Sequence, residues 1–351
     1  MSTKAIPPAA TEFIVLTGFL GTGKTTLLGD FLAQPEAGDT AVIINEVGQV
    51  NVDGAIIAET GWALPVALLS NGCVCCTVSN DLLFTIEALV EGQRQSGRPP
   101  FARIVLECSG LSRPAAVLRS LGELAQLQMK VRIVATLDAK DPPLARSFDD
   151  AVAQLAAAQR IVLTKTEGLN ARQRDDIVTQ VQGLNPFAEI VDQDDRRARA
   201  LAAFQPGAVD HAAPRAVSPA FAGVATTHPR IEVMFVRFAQ APAWAELQDW
   251  IENLVGLCGQ RLLRLKGVVP VADAPEPLLI QGVGNSFSPP QRMRRAPAGE
   301  HGLVIIARDI DVDTVRAAQL GCDATYTSSM PPRFARRPPA FGRESDRAAV
   351  S

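Results

Sequence analysis

The chain has 351 residues, of which 20% are charged and 47% hydrophobic, with a formal net charge of −3. That length can bury a sizeable core and accommodates two domains, while the near-balanced charge gives no global field to attract nucleic acid or a membrane surface. Residues 1–11 lack the basic start and apolar stretch of a signal peptide, and no run of about eighteen apolar residues is present to span a bilayer, so a cytoplasmic protein is expected.

The first predicted strand, residues 13–17, is an apolar run that leads directly into Gly18-Phe19-Leu20-Gly21-Thr22-Gly23-Lys24-Thr25-Thr26. This segment matches G-x-x-x-x-G-K-[ST] in a strand-to-helix setting, because Leu27, Leu28, Phe31 and Leu32 then recur at helical spacing. Gly18, Gly21 and Gly23 let the backbone turn its N–H groups toward phosphate oxygens, with Thr22 and Thr26 in the same cradle. Lys24 is the group to reach the β and γ phosphates, and the Thr25 hydroxyl is a magnesium ligand. A second strand at 41–44 ends at Asn45-Glu46-Val47-Gly48-Gln49, a loop expected near the phosphates. There Glu46 either orients an attacking water, holds magnesium through water, or is simply a surface carboxylate.

A short strand at 66–69 precedes Cys73-Val74-Cys75-Cys76, and Leu82, Leu83, Ile86, Leu89 and Val90 mark an amphipathic helix. The strand at 103–106 runs into Glu107-Cys108-Ser109-Gly110. Those positions supply an acid beside magnesium and a pliable backbone N–H beside the γ phosphate. Pro114 suits the first turn of a helix. Strands at 131–137 and 160–163 follow, and the second opens into Thr164-Lys165-Thr166-Glu167. A carboxylate there accepts from guanine N1–H and N2–H₂ together, which favours GTP over ATP. The usual signature is Asn-Lys-x-Asp, so Glu167 lengthens the reach by one methylene. A last strand is expected at 189–191. The alternation of apolar runs with helical patterns predicts an α/β domain, a mostly parallel sheet with helices on both faces, over residues 1–205.

Residues 206–228, rich in Ala and Pro without periodicity, read as a linker. A smaller α+β domain is expected over 229–321, with strands at 230–238, 262–271, 278–282 and 303–307. Its helices are marked by Trp244, Leu247, Ile251 and Leu254, and by residues 314–320. The segment 322–351 carries Pro331, Pro332, Pro338 and Pro339 with Arg333, Arg336, Arg337 and Arg343, and reads as a disordered basic tail without a nucleic-acid motif.

Three of the six cysteines fall within four positions, a poor spacing for a secreted disulfide framework. Thiolates at Cys73, Cys75 and Cys76 suit zinc, copper(I) or cobalt, and adjacent residues rarely close a tetrahedron alone. The open position suits transfer, with Glu46, water or a partner completing the set. Three buried inert cysteines, or a redox pair, remain alternatives. Cys108, Cys258 and Cys322 stand alone and read as packing residues, as do Trp62, Trp244 and Trp250. Three histidines, His211, His228 and His301, are too few for metal storage.

With these landmarks in order, the chain resembles the CobW family of metal-trafficking GTPases, relatives of the nickel-insertion GTPases of hydrogenase and urease maturation. Residues 17–28, Asn45-Glu46-x-Gly48, Asn71-Gly72-Cys73-Val74-Cys75-Cys76, Glu107 to Leu111 and Thr164-Lys165-Thr166 carry the likeness. So do Leu262-Leu263-Arg264-Leu265-Lys266-Gly267 and Leu279-Ile280-Gln281-Gly282-Val283 in the second half. The resemblance implies GTP hydrolysis coupled to loading zinc or cobalt, or delivering it to a client metalloprotein, and is compatible with a nucleotide-dependent homodimer. Gln49 stands where the family often has Glu, and a neutral amide is the poorer metal ligand. A nucleotide-binding metal or redox sensor without turnover is the competing function, and an ATP-dependent small-molecule kinase leaves the cysteine motif without a role.

Overall fold

The computed structural model describes residues 11–45, 66–68, 79–112, 114, 117, 129–141, 149–206, 230–293 and 301–328. The expectations for Glu46, Gln49, Trp62, Cys73, Cys75, Cys76, His211 and His228, and for the linker beyond Pro206, lie outside the described residues.

The first domain alternates strands and helices in chain order. β1 (Glu12–Gly18) leads to α1 (Lys24–Leu32), β2 (Thr40–Asn45), β3 (Val66–Leu68), α2 (Ser79–Gln95), β4 (Arg103–Cys108) and β5 (Lys130–Asp138). Then come α3 (Asp149–Ala157), β6 (Arg160–Thr164), α4 (Ala171–Leu184), β7 (Glu189–Val191) and α5 (Arg196–Phe204). The strands form one parallel sheet in the order β3-β2-β4-β1-β5-β6-β7. Because all strands run one way, their carboxyl ends share an edge, where Gly18 lies opposite Thr136, Asn45 opposite Cys108 and Thr164 opposite Asp138. Ligands of open α/β sheets bind outside that edge.

Period-two alternation divides the buried strands between two faces. Phe13 and Val15 face a layer that includes α2, α3 and α4, whereas Ile14 and Leu16 face α1 and α5. Helix α1 buries Leu27, Leu28, Phe31 and Leu32, roughly 1.5–3 kcal/mol for each side chain withdrawn from water. Phe31 meets Phe204 of α5 with ring centroids 4.6 Å apart, so Phe31→Ala would break this layer most directly, at about 3–5 kcal/mol. Asn170 and Gln173 close a capping box on α4, and Asp195 accepts from the Ala198 N–H at the start of α5. Both fix where their helices begin.

The second domain comprises β8 (Ile231–Phe238), α6 (Trp244–Cys258), β9 (Leu262–Val269), β10 (Leu278–Val283), β11 (Ser286–Phe287), β12 (Gln291–Arg292), β13 (Gly302–Arg308), α7 (Val312–Ala317) and β14 (Ala324–Ser328). Its antiparallel sheet has the order β11-β10-β9-β13-β8-β14, with β12 also on β10. One face packs on α6 through Leu247, Trp250, Leu254 and Cys258. The other contributes Ile231, Val233, Leu263, Val283, Val304 and Ile306 to the same core cluster as the α2–α4 side of the first sheet. The β9–β13 register shifts between Ile306 and Ala307. Leu262 and Leu265 consequently share the α6 side, and Leu263 turns to the first domain. Arg264, buried beside it, donates to the carbonyls of Ala156, Ala157 and Ala158 at the end of α3, a cation placed at a helix C-terminus.

Two expectations are corrected. The tail expected from residue 322 yields Ala324–Ser328 to β14, which pairs with β8; its alternating, half-exposed residues carry no apolar run to announce a strand. The helix expected at 314–320 spans Val312–Ala317, because Asp311 caps it early and Gln319 and Gly321, both at positive φ, end it. Among the described residues, no helix is long and apolar enough to cross a membrane.

Candidate nucleotide site

The loop between β1 and α1 turns at Gly21 and Gly23, whose φ values of 73° and 85° lie in the left-handed region that side chains disfavour. Gly23 is the N-cap of α1 and contributes no side-chain cap, so the N–H groups of the first turn face the loop as an anion cradle. Gly18 is required by packing as well, since a Cβ there would stand 2.2 Å from Thr136 Oγ1. Lys24 folds across the loop, Nζ donating to the Gly18 carbonyl at 3.0 Å and the Phe19 carbonyl at 3.3 Å. Thr22 belongs to the scaffold. Its hydroxyl is 2.7 Å from that of Thr136 and donates to Phe19 O, and its carbonyl accepts from Thr164 Oγ1. Thr26 is exposed on the first turn of α1.

Thr25 Oγ1 donates to Glu107 Oε1 at 2.6 Å, bringing together the hydroxyl and the carboxylate expected to attend magnesium. Both are hard oxygen donors, the type that ion prefers. Beyond β4, Gly110 packs on the loop so closely that a Cβ would meet Leu20 N at 2.7 Å. Gln154 of α3, fully buried, donates to the carbonyls of Gly110 and Ser112, both at 2.9 Å. The turn expected to face the γ phosphate is thereby tied to the helix whose far end Arg264 caps. Cys108 is buried and its thiol is pushed up to about 12 by burial, only partly opposed by Lys24. That burial gives it the setting of a packing group.

The third wall follows β6. Lys165 sits at φ 54° and donates to Asp138 Oδ2 at 2.6 Å, while Glu167 is exposed. Thr164 reaches back to the P-loop through Thr22 and also donates to Leu137 O at 3.0 Å. The sheet edge thus assembles Gly18, Gly21, Gly23, Lys24, Thr25, Glu107, Gly110, Thr164, Lys165 and Glu167 from segments as far apart in sequence as β1 and β6. Thr136, Asp138 and Gln154 were not legible as site residues. Only Asp138, an acid ending a strand beside β6, offered a signal. No group of three or more His, Cys, Asp or Glu suited to a metal gathers among the described residues.

Residues 12–192 match the model of the CobW/HypB/UreG nucleotide-binding domain, and residues 231–322 match the cobalamin synthesis protein CobW C-terminal domain. The chain belongs to the CobW family. The zinc chaperone YjiA of Escherichia coli K12 is 29% identical over 314 residues, covering 88% of this chain and 97% of its own length. The zinc chaperone CobW of a Sinorhizobium species is 30% identical over 349 residues, covering 87% and 95%. The zinc-regulated GTPase metalloprotein activator 1 of Schizosaccharomyces pombe shares 31% over 191 residues, 51% of this chain and 44% of its own. In fold, the crystal structure of Zn(II)-bound YjiA GTPase from E. coli superposes with a TM-score of 0.61 at 23% identity, over 88% of this chain and 98% of that one. The α/β nucleotide-binding domain with a separate antiparallel C-terminal sheet is therefore the CobW arrangement.

Proposed function

We propose that this CobW-family chain is a GTP-hydrolysing metallochaperone. It binds GTP with magnesium at the carboxyl edge of the parallel sheet, carries zinc, or alternatively cobalt, on Cys73, Cys75 and Cys76, and delivers the ion to a client metalloprotein. The observation that carries the hydrolytic part is the 2.6 Å contact of Thr25 with Glu107, two magnesium-type oxygens at the mouth of a complete phosphate loop. Relatives named as zinc chaperones across nearly their full length support the metal.

In the loaded site Thr25 and Glu107 would hold magnesium, which neutralises charge on the β and γ oxygens. Lys24 exchanges its two loop carbonyls for phosphate oxygens. Gly110, pressed against Leu20 and anchored by Gln154, presents its backbone to the γ phosphate, and Glu46 serves water positioning. Thiolates select a soft ion over magnesium, so the two metals do not compete for one site. Loss of the γ phosphate would reposition the Gly110 turn and the segment carrying the cysteines, and change metal affinity by differential binding. Three thiols within four positions suit the reducing cytoplasm. Leu20 and Leu111, both exposed at this edge, offer apolar surface for a nucleotide-dependent homodimer.

Phosphate release from GTP and from ATP, in wild type and Lys24→Ala, tests the reading. Turnover selective for GTP and lost in the variant supports it. Tight nucleotide without release in wild type replaces it with a non-hydrolysing sensor.

A further inference from the structure

Arg199 is 5% exposed in the middle of α5, on a helix face otherwise built from alanine and phenylalanine. Burying a guanidinium costs several kcal/mol unless its donors are satisfied. Here three hydrogen bonds and one longer ion pair tie it to two loops. Nε donates to Gln193 O at 2.8 Å, and Nη2 to Thr166 Oγ1 at 2.8 Å and Asp194 O at 3.1 Å, while Nη1 stands 3.8 Å from Glu167 Oε1. Arg174 adds a bond from Nη2 to the Thr166 carbonyl at 3.3 Å and a contact to Asp194. The loop after β6 and the loop after β7 are thus clamped by cations from two helices.

The last of those distances matters most. At 3.8 Å the Arg199–Glu167 pair is within ion-pair range but too long for a hydrogen bond. Glu167 is 61% exposed at its side chain. Its carboxylate is oriented by charge while its lone pairs remain available to an incoming donor. An unguided glutamate has one more rotor to immobilise than an aspartate, and freezing it opposes binding. A fixed guanidinium beneath it restricts that freedom before the ligand arrives.

We propose that Arg199 is a positioning residue for base selectivity: it holds the Thr166–Glu167 turn so that the longer carboxylate of Glu167 accepts from the N1–H and 2-amino group of guanine. The proposal rests on the reading of Glu167 as the base acceptor. It predicts a defect confined to the base, since among the described residues the hydrogen bonds and ion pair of Arg199 go to Gln193, Thr166, Asp194 and Glu167 and not to the phosphate loop, Thr25 or Glu107.

The test is competition of GDP and IDP against a fluorescent guanine nucleotide, with magnesium, in wild type, Glu167→Ala, Arg199→Gln and Arg199→Lys. IDP lacks only the 2-amino group, so the GDP:IDP affinity ratio isolates the 2-amino contact from the phosphate and N1–H contacts that both nucleotides make. The expected result is a wild-type preference for GDP that falls about tenfold in Glu167→Ala and in Arg199→Gln, with IDP affinity falling less than GDP affinity because hypoxanthine keeps only the N1–H donor. Arg199→Lys, which keeps the charge without the planar fork, lowers the ratio by a smaller factor. An unaltered ratio in Glu167→Ala would refute the acceptor reading itself. A normal drop in Glu167→Ala, beside equal losses for GDP and IDP in both Arg199 variants, would leave that reading intact and overturn the positioning role in favour of a purely structural arginine. Should Arg199→Gln fail to fold, Arg199→Lys alone decides by the same ratio.

Discussion

In the parallel sheet five buried polar side chains, Thr17, Asn45, Glu107, Thr136 and Thr164, lie toward the carboxyl ends of strands and three, Thr40, Arg132 and Arg160, toward the amino ends, whereas in the antiparallel sheet the buried cations Arg264 and Lys266 lie within a strand, against the first domain. The difference shows in how each group is satisfied. Arg264 spends its donors on the carbonyls ending α3 and lies over the Phe187 ring at 5.7 Å. Asn45, 2% exposed, has no hydrogen-bond partner for either side-chain atom among the described residues, and Glu107 and Thr25 hold one another where magnesium is expected. A buried polar group that is fully paired with protein secures an interface, and a buried one left with an unpaired atom calls for another explanation. Helix α3 belongs to both regions, with Gln154 on the Gly110 turn and its last carbonyls on Arg264.

Substitutions on the two sides should separate activity from stability. The largest effect is expected from Thr25→Val, which removes an edge hydroxyl: GTP turnover falls about 100-fold or more while the thermal midpoint stays close to wild type. A midpoint collapse would place Thr25 with the interface class. Arg264→Ala should do the reverse and cost about 2–4 kcal/mol in urea unfolding, because buried carbonyls lose their donor, with nucleotide affinity of the folded fraction changed less than about twofold. Next in size, Gly110→Ala forces a Cβ against Leu20 N and should weaken nucleotide binding by about 1–2 kcal/mol, measured by calorimetry. Thr136→Ala, losing the bond to Thr22, should cost about 1 kcal/mol of stability.

The smallest effect concerns the ionic rim of the interface. Arg230 donates to Asp309 and, at 2.8 Å, to Asp149. Its hydrogen bonds hold the Asp309 carboxyl below its ordinary value near 3.8. A carboxylate with a lowered folded-state pKa contributes stability that is complete above its unfolded pKa and is lost as pH falls through the folded value. Unfolding followed from pH 7 down to about 3 should therefore show a modest acid-dependent loss that Asp309→Asn reduces.

Much of this was legible beforehand, and the gaps have physical reasons. The strands of the first domain announce themselves because a doubly covered parallel sheet makes each an apolar run. The phosphate loop, Glu107 and the Thr164–Glu167 segment are local motifs at strand ends. Three helices of the first domain, α3 to α5, were expected only as a general alternation, since α4 and α5 are rich in charge and α3 in alanine. β14 was missed because Thr325, Tyr326 and Thr327 pair at an edge with little burial. Gln154, Arg199 and Arg264 escaped because their partners lie far along the chain. A buried glutamine or arginine looks like a surface residue until the fold supplies the carbonyls it serves.

The most direct test of GTP-gated metal carriage is a competition titration of zinc against wild type and Cys75→Ala, each with magnesium plus GDP or a non-hydrolysable GTP analogue. The expected result is a zinc affinity that differs between the two nucleotide states in wild type and loses that difference in Cys75→Ala. Equal zinc affinity in both states of the wild type would contradict gating and leave the cysteines a static, redox or packing feature.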